Sequence, residues 1–418
     1  MARLRDVLQE ELSRLDAAKV SKRHEPVIAS FDFPEGKAPR AVINGERFVL
    51  FNSNDYLGLR FHPKVREAER EASTEFGAGP GGVRFICGTT RVHKELEEAL
   101  ARFHGREECV VFSSAFSLNM GVLHALLKGQ SRDSLLSGSC LVVSDAFNHR
   151  SIIDGIRVAG LPSEQKAVFK HLDLGDLHRI LAEHRGKYRR AIVVTDGIFS
   201  MLGEAQDIGE LQRVAAEFED DYEEGVITIV DDSHGVAAYG KTGRGTEEAT
   251  GGRATLLVGT LGKGFGVDGG YVVGDRWLLD YLRESAATYI YSNPVAPSTA
   301  AAACAAIGIV DSEEGRRLLE KLHSRIAAFK KEALKMGLRF AADSDHPIQP
   351  LLIGDAAKTR SLADELRSRG FLVTPISYPV VPKGSDEIRV QLSASHSAED
   401  VAEFLDALTA GAKKLGII

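Results

Sequence analysis

Six short apolar runs, each set off by a stretch of helical periodicity, constrain the fold more than any other feature of the sequence. They are Cys109–Phe112, Cys140–Val143, Ala191–Val194, Val226–Val230, Leu256–Val258 and Tyr271–Val273. A strand that is apolar at every position needs cover on both faces, because neither alternation can be given to water. Helical crossovers provide that cover, so the pattern predicts an α/β domain with a mainly parallel central sheet. Ahead of it, residues 1–19 carry charges every few positions and read as an amphipathic helix, and Arg40–Phe51 alternates around Asn44-Gly45 as a hairpin. After Pro294–Pro297 an alanine-rich helix begins, followed by helical periodicity over Arg316–Lys335, strands at Ile348–Ile353, Leu372–Thr374 and Ile388–Leu392, and a helix over Ala398–Leu415. The expected organisation is a helix and hairpin segment over 1–53, a large domain over 54–294 and a smaller α+β domain over 295–418.

Composition narrows the function classes. With 44% hydrophobic and 27% charged residues over 418 positions, the chain has a globular balance, and disorder as its main state is excluded. A formal charge of -7 gives no footprint for nucleic acid or an anionic membrane surface, although local positive groups can still bind small anions. There is no apolar leader and no run of the ~18 apolar residues a spanning helix needs, so a cytoplasmic protein is expected. Cys87, Cys109, Cys140 and Cys304 show neither C-x-x-C pairing nor metal-ligand spacing with histidine. They are expected to be buried thiols, with no metal site.

Ligands of open parallel sheets gather at the carboxyl ends of the strands, so the residues just after the apolar runs carry weight. Ser113, Ser114, Ala115 and Phe116 lie between a strand and a helix, where free N–H groups and the helix dipole suit a phosphate, or an ordinary N-cap. Asn148 and His149 follow the next run, and an imidazole there is either structural or able to stack on a planar ring. Asp231, Asp232 and His234 follow another. Adjacent acids are costly unless solvated or faced by a positive partner. Lys263 sits among glycines 259, 262, 264, 266, 269 and 270, where a desolvated amine can form a Schiff base with an aldehyde. The order is not that of a P-loop. Phosphate anchor, acid and amine on one sheet together suggest pyridoxal phosphate.

The ordered motifs NDYLGL (54–59), VRFICGT (83–89), NHRSIIDGIR (148–157), TDGIFSM (195–201), VDDSHGV (230–236), TLGKGFG (260–266), YSNPVAP (291–297) and SYPVVPKG…IRVQLSASH (377–396) span nearly the whole chain. In them the sequence resembles the α-oxoamine synthase family of fold-type I pyridoxal-phosphate enzymes, and most of all its glycine C-acetyltransferase branch. The resemblance implies that Lys263 is the Schiff-base lysine and base, that Asp231 pairs with the pyridine nitrogen, that His149 stacks on the ring, and that His234 and Ser200 lie near its phenolic oxygen. It also implies phosphate binding by Ser114, Ala115, Phe116 and Thr260, with Ser292 and Asn293 supplied by a second subunit of a homodimer with shared active sites. Asn54 and Arg389 match positions that meet the amino-acid carboxylate. The implied reaction condenses glycine with an acyl-CoA, foremost acetyl-CoA, to a 2-amino-3-keto acid with release of coenzyme A.

Two other enzyme readings share the scaffold. One uses L-alanine or L-serine and a longer acyl thioester with decarboxylation, and the other is a thioester-free racemase or cyclase. A non-catalytic partner subunit is disfavoured by the joint presence of Lys263, Asp231 and His234. Departures from the family pattern are Leu202, where an acid is usual, Asp268 in the lysine loop, and the segments Gln130–Cys140 and Phe218–Gly225, which read as solvated surface loops.

Overall fold

The structure, a computed structural model, describes residues 2–18, 21–23, 25–131, 133–136, 138–378 and 380–418. Met1 and Lys19 of the expected first helix, Arg132 and Ser137 of Gln130–Cys140, and Pro379 of the Ser377–His396 motif lie outside the described residues.

Three sheets organise the chain. The amino-terminal strands are β1 (Ser30–Asp32), β2 (Arg40–Ile43) and β3 (Glu46–Leu50). The expected hairpin joins β2 to β3, with Asn44 and Gly45 at φ 52° and 82°. Two left-handed residues match the strands' own twist. The large sheet contains β4 (Glu108–Phe112), β5 (Cys140–Asp145), β6 (Lys166–Phe169), β7 (Arg190–Asp196), β8 (Val226–Asp231), β9 (Leu256–Thr260) and β10 (Gly270–Gly274). Its order is β4-β10-β9-β8-β7-β5-β6, and only β10 runs antiparallel to its neighbours. The mainly parallel sheet expected from the apolar runs is therefore present. Last come β11 (Ile348–Leu352), β12 (Phe371–Leu372), β13 (Thr374–Ile376) and β14 (Glu387–Gln391), of which β11, β14 and β13 form an antiparallel sheet.

Burial on both faces explains the apolar runs. In β5, Cys140 and Val142 pack with Leu123 and Leu126 of the helix Ala115–Lys128, while Leu141 and Val143 pack on the other side with Leu177 and Ile180 of the helix Leu174–Glu183. β6 escaped the sequence reading because only Phe169 of its four residues is buried, whereas β4 at the other edge of the sheet is buried at four of its five positions.

The segments at the two ends of the chain are stitched together. β12 pairs in parallel with β3, Phe51 N donates to Leu372 O, and Gln391 N donates to Phe51 O, each at 2.8 Å. Ala394 N donates to Tyr56 O at 2.8 Å. This stitching carries residues 54–56 up against β14.

Two expectations need correction. Cys109 and Cys140 are buried, but Cys87 is exposed and Cys304 half-buried. Cys87 lies on the turn Arg84–Gly88, whose Phe85 and Ile86 also face outward while Arg84 anchors it inside through Glu97 at 3.1 Å. Phe218–Gly225 is not a plain solvated loop: Phe218 and Tyr222 are buried, Glu219 Oε2 accepts from Val226 N, and Glu224 Oε2 pairs with buried Arg190 at 2.6 Å. Its charges thereby tie the turn to β7 and β8.

Candidate active site

Strands β4, β5, β7, β8 and β9 all deliver their carboxyl ends to one edge of the large sheet, where they enclose a cavity of about 230 Å³. Ser114, Ala115 and Phe116 line it after β4, His149 after β5, and Ser200 after β7. Asp231 and His234 line it from the end of β8, and Thr260 and Lys263 from the end of β9. Residues spread over 150 positions of sequence thus converge as expected. Four lining residues were not anticipated: Ser151, Asp196, Ile198 and Ser233.

Asp231 is 5% exposed, and both of its oxygens are bonded: Oδ1 accepts from Ser233 N at 3.0 Å and Oδ2 from Asn119 Nδ2 at 2.6 Å. Asn119, one turn into the helix that Ser114 caps, also donates to Ser151 Oγ at 2.9 Å, and Ser151 Oγ is 2.8 Å from His149 Nδ1. The carboxylate and the imidazole are therefore fixed by one continuous chain of hydrogen bonds. Burial lowers the His149 pKa, against the pull of Asp231. Asp196 lies behind them, its Oδ2 accepting from His149 N at 3.1 Å, and burial with the nearby Asp231 raises its pKa well above the carboxylate range. Asp232 points away from the cavity. It is buried, taking Thr246 N at 2.6 Å and Thr246 Oγ1 at 2.5 Å, with burial pushing its pKa to about 7. Neutral donors to both acids, together with the positive Lys263 that acts on Asp231 and more weakly on Asp232, offset the cost of the adjacent pair.

Lys263 sits in a tight turn closed by Gly266 N donating to Lys263 O at 2.8 Å. Gly266 has φ 72°, and a side chain there would run into the backbone of Leu59 and Arg60. Burial brings the Lys263 pKa down to about 8, against Asp231 and Asp196, so about a tenth of the amine is uncharged at pH 7. On the helix side, Ser114 Oγ accepts from Ser117 N at 3.1 Å. A Cβ at Gly270 would collide with Ala115 N, so glycine lets β10 pass directly under the helix start.

Residues 54–56 and β14, with the expected Asn54 and Arg389, are not among the lining residues, but they pack against two that are, His234 and Ser200. Tyr56 OH is 2.7 Å from His234 Nδ1, and His346 Nε2 is 2.8 Å from His234 O. Burial keeps His234 neutral by lowering its pKa well below the usual histidine range. Arg389 Nη1 donates to Ser200 O at 2.7 Å while its buried Nε has no partner, and Asn54 Oδ1 accepts from Gln391 Nε2 at 2.5 Å. Glu387, on the same face of β14, is fully buried with neither carboxylate oxygen bonded. Burial raises its pKa to about 7, against Arg389.

Ser292 and Asn293 do not line this cavity; Ser292 is half-buried and Asn293 exposed. Asp268 is exposed and caps Gly269 N at 2.8 Å; Leu202 is half-buried. Neither is among the lining residues. A helix start with glycine clearance, a bonded carboxylate, a neutral imidazole and a partly uncharged lysine around one cavity fit the phosphate, ring nitrogen, ring face and aldehyde of pyridoxal phosphate.

Comparison with known proteins agrees. The family described as aminotransferase class I and II matches residues 46–408. The 8-amino-7-oxononanoate synthase 1 of Bacillus velezensis is 38% identical over 384 residues, which is 91% of this chain and 93% of that one. The mitochondrial 2-amino-3-ketobutyrate coenzyme A ligase of Bos taurus is also 38% identical, over 413 residues, 97% of this chain and 92% of that one. A solved serine palmitoyltransferase (SPT) with PLP superposes with a TM-score of 0.87 at 28% identity, covering 99% of this chain and 98% of its own. The chain belongs to the aminotransferase class I and II family and, within it, to the α-oxoamine synthases of PLP fold type I, with pyridoxal phosphate as cofactor.

Proposed function

We propose that this α-oxoamine synthase condenses glycine with acetyl-CoA, giving 2-amino-3-ketobutyrate and free coenzyme A. The observation that carries the reading is the pair formed by Arg389 and Glu387 on one face of β14. The guanidinium, held by Ser200 O with Nε left over, suits the α-carboxylate of an amino acid as a planar, charge-assisted donor. Two residues away, the buried and unbonded carboxyl of Glu387 makes the same wall hostile to a second carboxylate. An oxononanoate product bears a carboxylate at the far end of a nine-carbon chain, whereas a ketobutyrate product does not.

When bound, pyridoxal phosphate supplies an aldehyde that condenses with amines and a ring that withdraws electrons from the attached α-carbon. Lys263 would hold the cofactor's aldehyde carbon and, once glycine had taken its place, would take the α-proton at Nζ. Asp231 would keep a proton on the ring nitrogen, His149 would cover the ring, and His234 and Ser200 would flank its phenolic oxygen. Ser114, Ala115, Phe116 and Thr260 would hold the phosphate, joined by Ser292 and Asn293 of a partner subunit in a homodimer. Arg389 and Asn54 would hold the glycine carboxylate. The reaction joins the α-carbon to the acyl carbon and breaks the C–S bond, and the coenzyme A thiolate would take up the proton held at Lys263 Nζ.

The relatives fall into two kinds, with 8-amino-7-oxononanoate synthases slightly the more numerous, and this supports a second reading, L-alanine with an acyl thioester ending in a carboxylate and loss of carbon dioxide. A matrix of glycine, L-alanine and L-serine against acetyl-CoA, long-chain acyl-CoA and a carboxylate-ended acyl-CoA, scored by released thiol, separates the two. Glycine with acetyl-CoA should be the best pair. A best rate with L-alanine and the carboxylate-ended donor replaces the first reading by the second.

A further inference from the structure

Three loops leave the carboxyl edge of the large sheet after β7, β5 and β6, in that order across the sheet, and His171 in the outermost one touches both of the others. Its Nδ1 is 3.0 Å from Asp145 Oδ1 and its Nε2 3.1 Å from Glu204 Oε2. The ring stacks on Phe147 with centroids 4.4 Å apart and meets Phe199 edge-on at 4.4 Å. Asp145 is itself fixed, accepting from Phe147 N at 2.7 Å and from Leu172 N at 2.9 Å. Leu172 has φ 56°, a left-handed conformation that leucine keeps only where its surroundings over-determine it. Both of the other loops feed the cavity: 146–149 delivers His149, and 197–205 delivers Ser200, whose carbonyl holds Arg389.

We propose that His171 is a positioning residue, whose bridge from Asp145 to Glu204 sets the spacing between the His149 loop and the Ser200 loop and thereby the placement of Arg389. The inference rests on the roles proposed above for His149 and Arg389. Bridging two carboxylates requires both ring nitrogens to donate, hence a protonated ring. Burial opposes that charge, but the hydrogen bonds and charges of Asp145 and Glu204 outweigh it and hold the pKa at about 9. Asp145 and Glu204 are the ionisable groups facing the ring; beyond them, Glu204 helps raise the pKa of Glu387 and Asp145 that of Asp196.

The test uses His171→Gln, which keeps one donor end and loses the charge, and His171→Lys, which restores a cation between the two carboxylates. In the cofactor-loaded enzyme, His171→Gln should weaken glycine binding, read from the spectral titration of the cofactor band, by roughly tenfold or more, and alter the circular dichroism of that band. His171→Lys should recover part of the loss. In the cofactor-free protein, the wild type should melt higher than His171→Gln at pH 6, with the advantage shrinking as pH rises through about 9, because a raised histidine pKa stabilises only while the group is protonated. A lowered melting temperature with unchanged glycine affinity and unchanged dichroism overturns the proposal and makes His171 merely structural. Arg389→Leu serves as control: unchanged glycine affinity there as well indicts the carboxylate site itself. If His171→Gln does not fold, Glu204→Gln probes the same bridge from the other side with the same two outcomes.

Discussion

Two buried carboxyl groups, Asp231 lining the cavity and Glu387 on β14 outside that lining, have opposite surroundings. Asp231, at the end of β8, has both oxygens bonded by Ser233 and Asn119 and is part of a chain that also fixes His149. Glu387, on β14, is more deeply buried and bonded by nothing. Its neighbours on that face, Arg389 and Gln391, also keep an unpartnered atom each. The large-sheet wall is largely preorganised, which suits a resident cofactor. Asp196 Oδ1 and Ser233 Oγ on the large-sheet side are unpartnered too, but β14 leaves a whole carboxylate unbonded beside a guanidinium nitrogen, which suits a substrate that comes and goes.

The contrast can be broken most sharply at Lys263. Lys263→Ala should remove the borohydride-sensitive visible absorbance and lower kcat by at least on the order of 10²–10⁴-fold; an unchanged cofactor spectrum would unseat the lysine. Asp231→Asn, which keeps the shape and removes the charge, should lower kcat by roughly 10²-fold and weaken cofactor binding, as measured by dialysis against free pyridoxal phosphate. Arg389→Leu should raise the KM for glycine by roughly 10–100-fold while cofactor loading stays near wild type. Equal damage to loading and to KM would erase the distinction between the two walls.

Glu387→Gln sharpens the comparison with the smallest effect. The pKa of Glu387 is raised from 4.5 to about 7, so the folded state binds the proton more tightly than the unfolded state. Its contribution to stability therefore declines as pH rises from about 4.5 to about 7 and is level above that. Chemical denaturation across this range should show a shallower decline in the variant than in the wild type, and the variant should accept a carboxylate-ended acyl-CoA better.

Legibility from sequence followed the same division. Lys263 and Asp231 stand out because glycine spacing and an acid closing an apolar run are local patterns. Asn119 does not, because it sits inside a helical repeat and its meaning depends on Asp231, 112 positions away. Asp196 closes an apolar run just as Asp231 does, so the same signal could have found it. Glu387 was hidden by its own strand: in EIRVQ the charged and apolar residues alternate like a strand with one face in water, yet the polar face is turned toward Ser200 and Asn54. Only the packing of the small sheet against the cavity shows that. β6 was missed because only one of its four residues is buried and its apolar signature is correspondingly weak, and with it went His171 in the turn that follows.

The pairing of β3 with β12 has a consequence for synthesis. Val49 and Leu50 meet partners that leave the ribosome some 320 residues later, a delay on the order of tens of seconds at ordinary elongation rates. Through that interval the outer edge of the hairpin is unpaired, and residues 54–56 cannot be drawn against β14. The active-site wall that holds the substrate must therefore close last, after the cofactor-binding sheet has had time to form, and the nascent chain carries an open strand edge until its carboxyl-terminal part arrives.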